Sequence, residues 1–80
     1  MADIYDLRGL SCPMPVLKTQ KRLKSLKPGD RLWVRTSDPL AVIDIPHWCR
    51  ESGNPLIESE KAGDGHRFLI ECGAGPAAIS

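Results

Sequence analysis

Hydrophobic and polar residues recur along the chain with two different periods, one typical of strands and one of helices. In residues 31–36, Leu32, Val34 and Thr36 occupy alternate positions, as in a strand with one buried face. Short stretches of the same kind, bounded by turn residues, predict three further strands, at residues 2–7, 56–61 and 66–72. Strand-forming segments therefore occur at the start, in the middle and near the end of the chain.

Two segments between these strands follow the helical period. The first runs from Pro13 to Leu26, and one of its sides carries Val16, Thr19, Gln20, Leu23 and Leu26. The second has one face with Ile45, Trp48, Cys49 and Ser52. Because proline interrupts a helix, Pro46 allows two interpretations of where the second helix begins. Either a turn at 39–43 precedes a main helix capped by Asp44, or one helix continues with a kink near Pro46.

The order of elements predicts the fold class, an α/β two-layer sandwich of the form β-α-β-α-β-β. Helical crossovers make strands parallel neighbours or near-neighbours, while the turn at 63–65 makes the last two antiparallel, so the four-stranded sheet is mixed. Two helices cover only one face of it. Eighty residues predict a single domain over 1–80, and its last segment, 73–80, is expected to be flexible.

Charge is balanced overall but uneven along the sequence. The chain has eleven basic and ten acidic residues, yet six basic residues and no acidic one lie from Arg8 to Gly29. A local basic surface follows, and the residues predicted to bind a partner are Arg8, Lys18, Lys21 and Arg22. Trp33 lies between Arg31 and Arg35, so its ring either stacks with a cation or forms a contact on the open sheet face.

The cysteine count indicates the compartment. Three cysteines without a signal peptide predict reduced thiols in the cytoplasm and no disulfide framework. No apolar run is long enough for a membrane span. The closest approach to a metal motif is His47-x-Cys49, which lacks a second ligand pair, so neither a metal nor a cofactor is expected. A core this small favours a carrier or binding module over a self-sufficient enzyme.

Cys12 is the candidate reactive residue because of its setting, RGLSCPMPVL at 8–17. Gly9 suits a turn with positive φ. Pro13 and Pro15 fit the first and third helical positions, where no N–H is needed, so the pattern predicts Cys12 at the N-cap. The helix dipole would there favour its thiolate or persulfide. Cys49 and Cys72 lie on apolar faces and are interpreted as structural residues.

The same stretch resembles a known family. Residues 6–15, DLRGLSCPMP, are similar to the signature of the TusA/SirA family of small sulfur-carrier proteins, and the likeness continues through KPGD at 27–30, SDP at 37–39 and DIP at 44–46. The resemblance implies that Cys12 accepts sulfane sulfur as a persulfide, with Gly9, Pro13 and Pro15 as scaffold. It implies a cysteine desulfurase or rhodanese-like donor, and acceptors in tRNA thiolation, molybdenum-cofactor synthesis or sulfur oxidation.

Two other functions stay open from the residues. One is a thiol redox regulator in which Cys12 pairs with Cys49 or Cys72. The other is a protein- or nucleic-acid-binding module that uses the basic helix at 13–27, although four aromatic residues offer few stacking platforms and direct binding of nucleic acid is not expected. The carrier interpretation predicts a sulfurtransferase that works as a monomer with partner proteins.

Overall fold

In the computed structural model, which describes residues 3–11 and 13–73, strands and helices follow the predicted order. The elements are β1 (Asp3–Asp6), α1 (Met14–Leu23), β2 (Arg31–Thr36), α2 (Ala41–Ser52), β3 (Leu56–Ala62) and β4 (Gly65–Glu71). They form one four-stranded sheet in the order β1-β2-β4-β3. β1 runs parallel to β2, and β4 is antiparallel to both β2 and β3. The mixed sheet and the α/β sandwich are confirmed.

One face of the sheet forms the core. Leu32 and Val34 on β2 pair across the ladder with Ile70 and Phe68 on β4, and all four side chains are buried. The helices complete this cluster with Leu23, Ala41, Ile45 and Cys49. Both helices therefore cover the same face of the sheet, as the element count predicts.

The opposite face carries Trp33 and a set of ion pairs. The guanidinium of Arg67 lies 4.7 Å from the centre of the Trp33 ring, and Arg67 also pairs with Glu60. The cation–π interpretation is thus confirmed, but the cation comes from β4 and not from Arg31 or Arg35. The reason is the antiparallel register, which sets Leu69 opposite Trp33 and Arg67 at the diagonal position.

Helix α1 is shorter than the sequence predicts at both ends. It begins at Met14 with Pro13 as the N-cap, and it ends at Leu23. Beyond Leu23 the chain turns more tightly, because Leu26 donates its N–H to Leu23 over three residues instead of four. Leu26 still packs against the core, whereas Gln20 is exposed, contrary to the predicted face.

Helix α2 is a single helix that continues through Pro46. The alternative with an Asp44 cap is wrong, because the Asp44 N–H donates to Leu40 at 2.9 Å and Asp44 is already inside the helix. Leu40 is the N-cap. Its own N–H donates to Asp38 Oδ1 at 2.9 Å, which supplies the side-chain acceptor just before the helix.

The strand limits differ slightly from the prediction. β1 stops at Asp6, and β4 runs one position earlier than expected, so Cys72 follows the strand. Gly73 is held by an N–H bond of 2.8 Å to Asn54 Oδ1. The rest of the predicted flexible tail, 74–80, lies outside the described residues, as does Cys12. Among the residues that are described, no helix has the length and hydrophobicity needed to cross a bilayer.

The fold makes one prediction about stability. Thr36 ends β2 with a hydroxyl that is buried and, among the described residues, has no hydrogen-bond partner. We expect Thr36→Val to raise the free energy of unfolding in urea by about 1 kcal/mol, because it removes a desolvated group that has no compensating bond.

Val34→Thr is the matched control, because it adds the same hydroxyl two positions earlier on the same buried face. It should lower the free energy of unfolding by roughly 1–3 kcal/mol. A loss of stability in Thr36→Val would show that the hydroxyl is satisfied in solution.

Candidate functional site

The candidate site lies at the edge of the sheet where both helices begin. Because β1 and β2 are parallel neighbours, their carboxyl ends lie at the same edge. The segments that follow them, residues 7–13 and 37–40, lead into α1 and α2. A direct bond joins the two segments: the Gly9 N–H donates to Ser37 Oγ at 2.8 Å.

The segment after β1 is fixed at its start by backbone bonds. The buried Leu7 donates its N–H to Arg35 at 2.8 Å and continues the parallel ladder. Leu10 donates back to Leu7 at 3.3 Å, which closes a turn with Gly9 at its third position. Gly9 has φ +92°, a conformation that strains any residue with a side chain. A scaffold role for Gly9 is consistent with this geometry.

Asp6 and Arg8 stiffen the same turn. Arg8 donates from Nε and Nη2 to the two carboxylate oxygens of Asp6, at 2.9 and 2.8 Å, and its N–H donates to Oδ1 at 3.1 Å. These hydrogen bonds lower the pKa of Asp6 to about 2. Asp6 and Arg8 therefore stay charged and paired at any physiological pH, and Arg8 contributes little free positive charge.

The prolines define how α1 begins. Met14 donates its N–H to Ser11 at 2.9 Å, and Leu17 donates to Pro13 at 3.0 Å. Pro13 has φ −91° and ψ 12°, outside the helical range, and Pro15 is buried in the first turn. The predicted N-cap at Cys12 is therefore wrong: Pro13 is the N-cap, because its carbonyl already accepts the first helical bond.

Cys12 itself lies outside the described residues, but both of its neighbours are described. Ser11 and Pro13 are exposed, and the Ser11–Met14 bond spans the position between them. In the sequence, Cys12 comes one residue before the N-cap, Pro13.

The four predicted partner-binding cations differ in how free their charges are. Arg22 forms an ion pair with Asp3 at 3.5 Å, and its guanidinium lies 5.6 Å from the centre of the Tyr5 ring. Lys18 and Lys21 are exposed, and within residues 3–11 and 13–73 neither forms an ion pair. With Arg8 also paired, the unpaired positive charge among these four residues is on Lys18, one turn into α1, and on Lys21, in its last turn.

The sequence analysis missed a group of exposed apolar side chains at this edge. They lie in the first turns of the two helices and comprise Met14, Leu17, Leu40, Val42 and Ile43. In the sequence, such a residue can be noticed as a hydrophobic position that does not lie on the buried face of its helix. Leu17 is an example, because the buried positions beside it in α1 are Pro15 and Thr19. Hydrophobicity alone does not separate such positions from the core.

The other two thiols lie away from this edge. Cys49 is 3% exposed on the inner face of α2, and burial raises its pKa to about 11. Cys72 is half-buried near the far end of α1, where its Sγ lies 3.6 Å from the Leu23 carbonyl. Burial, and secondarily the charge of Asp30, raise the pKa of Cys72. Both thiols are therefore held in the neutral form, which is a poor nucleophile.

A concavity also lies at the far end of α1. It is a groove of about 420 Å³, lined by residues that include Leu23, Leu26, Trp48 and Cys72. No cluster of three metal-ligating side chains occurs in the part of the chain that the structure describes.

Comparison with known proteins identifies the family to which this chain belongs. The sequence model of the family described as sulfurtransferase TusA matches residues 3–72. The sulfur carrier protein TusA of Allochromatium vinosum is 38% identical over 89% of this chain and 97% of its own length. In Bacillus subtilis, YrkI is 36% identical over 88% of this chain and 93% of its own length.

Two further matches extend the comparison. YrkF of Bacillus subtilis is 34% identical over 88% of this chain, which spans only 38% of that longer protein. The crystal structure of a SirA-like protein from Desulfitobacterium hafniense superposes with a TM-score of 0.72 at 23% identity, over 89% of this chain and 97% of that one. This structural likeness supports the two-layer fold.

The burial of Cys49 and Cys72, together with the exposed neighbours of Cys12, predicts the order of cysteine reactivity. At pH 8, iodoacetamide should modify Cys12 first and Cys49 last, because the raised pKa and burial of Cys49 leave almost no accessible thiolate. Peptide mapping after timed quenching measures the three rates. Unfolding in urea should bring the rates together, and faster modification of Cys49 or Cys72 in the folded protein would contradict the assignment.

Proposed function

This chain belongs to the TusA family of sulfurtransferases and is a sulfur carrier, and we propose that Cys12 carries the sulfur as a persulfide. The family signature in DLRGLSCPMP supplies the residue. The observation that supports this role best is the loop around it. Residues 7–11 are tied to β2 and to Ser37, and the residues on either side of Cys12 are exposed.

The transfer needs only thiol chemistry. The thiolate of Cys12 attacks the terminal sulfur of a donor persulfide, and a new S–S bond forms on Cys12 as the donor's S–S bond breaks. The donor cysteine leaves as a thiolate and takes up a proton. An acceptor thiolate then attacks the terminal sulfur of the Cys12 persulfide, and Cys12 leaves as a thiolate. Each step conserves sulfane sulfur, so no external oxidant or reductant is required.

A rigid loop suits this exchange. The prolines and the Gly9–Ser37 bond limit the conformations of the segment, so presenting the sulfur to a partner costs little conformational entropy. The Asp6–Arg8 ion pair stabilises the turn that precedes the loop. Because the pKa of Asp6 is lowered to about 2, Asp6 is ionised at every pH at which a cysteine thiolate forms. The scaffold roles proposed for Gly9, Pro13 and Pro15 are conformational, because none of the three side chains offers an acid, base or nucleophile.

Carriers of this family exchange sulfur with donor and acceptor proteins. For this chain the proposed donor is a cysteine desulfurase or a rhodanese-like protein, and the proposed acceptor serves tRNA thiolation, molybdenum-cofactor synthesis or sulfur oxidation. The proposed setting is the cytoplasm, with the protein acting as a monomer. The redox-regulator alternative pairs Cys12 with Cys49 or Cys72. Burial makes Cys49 a poor resolving partner, and Cys72 lies beside Leu23 at the far end of α1.

Lys18 and Lys21 are proposed to steer the partners. Both lie on the exposed side of α1 one to two turns from its start, and their charges are not neutralised within the described residues. Charges at the periphery of an interface act mainly on the association rate. Arg8 and Arg22, which are paired with Asp6 and Asp3, are proposed to contribute through shape and hydrogen bonding.

Replacement of Cys12 tests the carrier role. Cys12→Ser should accept no sulfur from a cysteine desulfurase supplied with L-cysteine, because the nucleophile is gone, while its free energy of unfolding changes by less than about 1 kcal/mol. Intact-mass spectrometry measures the gain of one reducible sulfur atom. Cys72→Ser is the control and should load like the wild type. Sulfur on Cys12→Ser, or a wild type that takes up none, would contradict the proposal.

Charge reversal on α1 tests the steering role. Lys18→Glu with Lys21→Glu should lower the loading rate by roughly tenfold at low ionic strength, and the difference should shrink as salt screens the charges. Loading rates over a salt series provide the measurement. Lys24→Glu with Lys27→Glu makes the same change in net charge beyond the far end of α1. Equal rates for the two double variants at low salt would place the docking surface elsewhere.

A further inference from the structure

Exposed apolar side chains concentrate at the edge of the sheet where both helices begin. Of the seven large hydrophobic residues exposed in residues 3–11 and 13–73, five lie in the first turns of α1 and α2: Met14, Leu17, Leu40, Val42 and Ile43. We call these five residues the apolar rim. The remaining two, Ile4 and Ile57, lie on separate strands, β1 and β3.

We propose that the apolar rim is the surface on which a sulfur-exchanging protein docks, with its own apolar surface around its persulfide cysteine. This inference rests on the proposed role of Cys12 and adds the chemistry of the interface. Contiguous exposed apolar patches on small proteins mark interaction sites. The concentration of the rim at one edge therefore calls for a partner.

The topology places the rim around the carrier segment. The parallel pairing of β1 and β2 brings both helix starts to one edge. The Gly9–Ser37 bond then joins the segment that contains Cys12 to the segment that leads into Leu40. One part of the rim follows Cys12 in the sequence, and the other begins three residues after Ser37. A protein that contacts Cys12 must approach this same edge.

None of the rim residues is among the buried core positions of the two helices. In α1 the buried positions are Pro15, Thr19 and Leu23, and in α2 they are Ala41, Ile45 and Cys49. Met14 and Leu17 are one turn apart on another side of α1, and Leu40 and Ile43 have the same spacing in α2. The rim thus consists of two short stripes whose residues lie outside the set of buried core positions.

Charge identifies the class of partner. Residues 9–17 and 39–43 contain no charged side chain, and the nearest free cations are Lys18 and Lys21. An uncharged apolar centre with charges at its margin is the usual composition of a protein–protein interface. Nucleic acid requires cations against its phosphates, and the rim offers none at its centre. An apolar contact also keeps water from the persulfide during exchange.

The rim and the lysines have separate kinetic roles. Long-range charge accelerates the encounter, whereas buried apolar contact slows dissociation. A rim variant should therefore raise the KM for the carrier and leave the chemical step unchanged. Salt should not restore its rate, which distinguishes it from the lysine variants.

A matched pair of isoleucines allows a sharp test. Ile43 in the rim is 68% exposed and Ile4 on β1 is 64% exposed, so Ile43→Ser and Ile4→Ser remove the same side chain from similarly open positions. Each variant is assayed as the carrier for a cysteine desulfurase with L-cysteine, or for a rhodanese with thiosulfate where that donor loads the wild type. Circular dichroism confirms folding, and iodoacetamide reports the intrinsic reactivity of Cys12.

Ile43→Ser should raise the KM for the carrier by about tenfold, as expected for loss of a central apolar contact, with kcat and alkylation rate within twofold of the wild type. Ile4→Ser should match the wild type in all three. Leu17→Ser should repeat the effect from α1, which shows that both halves of the rim contribute.

Four outcomes overturn the inference. Equal KM values for Ile43→Ser and Ile4→Ser mean that the rim does not touch the donor. A wild-type dimer that Ile43→Ser dissociates makes a second copy the occupant, and Ile43-dependent binding to phosphatidylcholine vesicles makes a lipid surface the occupant. Loss of Cys12 alkylation in Ile43→Ser shows a conformational effect. A wild type that neither donor loads contradicts the proposed function itself, so the two failures are distinguishable.

Discussion

The parallel pairing of β1 with β2 is the constraint on which the rest of the structure depends. The bond from the Leu7 N–H to Arg35 extends that pairing to the end of both strands, and both chain segments leave the sheet at one edge. Each must then fold back as a helix over the same face. The two helix starts, the Gly9–Ser37 bond and the segment that holds Cys12 all meet at this edge as a result.

The two ends of α1 consequently have different chemistry. At its start, exposed apolar side chains lie in the first turns of both helices, and Gly9 and the Asp6–Arg8 pair fix the turn that follows β1. At its other end, Cys72 lies in a groove with its pKa raised by burial. The proposed reactivity and partner contact thus lie at one edge, whereas Cys49 is buried and Cys72 half-buried away from that edge.

Periodicity was enough to predict the sandwich, because alternation in β2 and the inward stripe of α2 depend only on nearby residues. The partner of Trp33 could not be predicted, since it depends on how a strand more than thirty residues later pairs with β2. The start of α1 was misplaced by one residue because Pro13 suits both the N-cap and the first helical position. The rim was missed because Leu17 and Ile43 look like core residues until the fold shows which face they occupy.

The most direct test of a docking edge at the helix starts is NMR mapping of the isotope-labelled carrier on addition of the sulfur donor that loads it. We expect amide and methyl shifts to change in residues 8–17 and 37–43, including the methyl groups of Leu17 and Ile43. Signals of Ile4, Trp33 and Trp48 should stay in place. Changes centred on Trp33, or on the groove beside Trp48, with the helix starts unaffected, would contradict it.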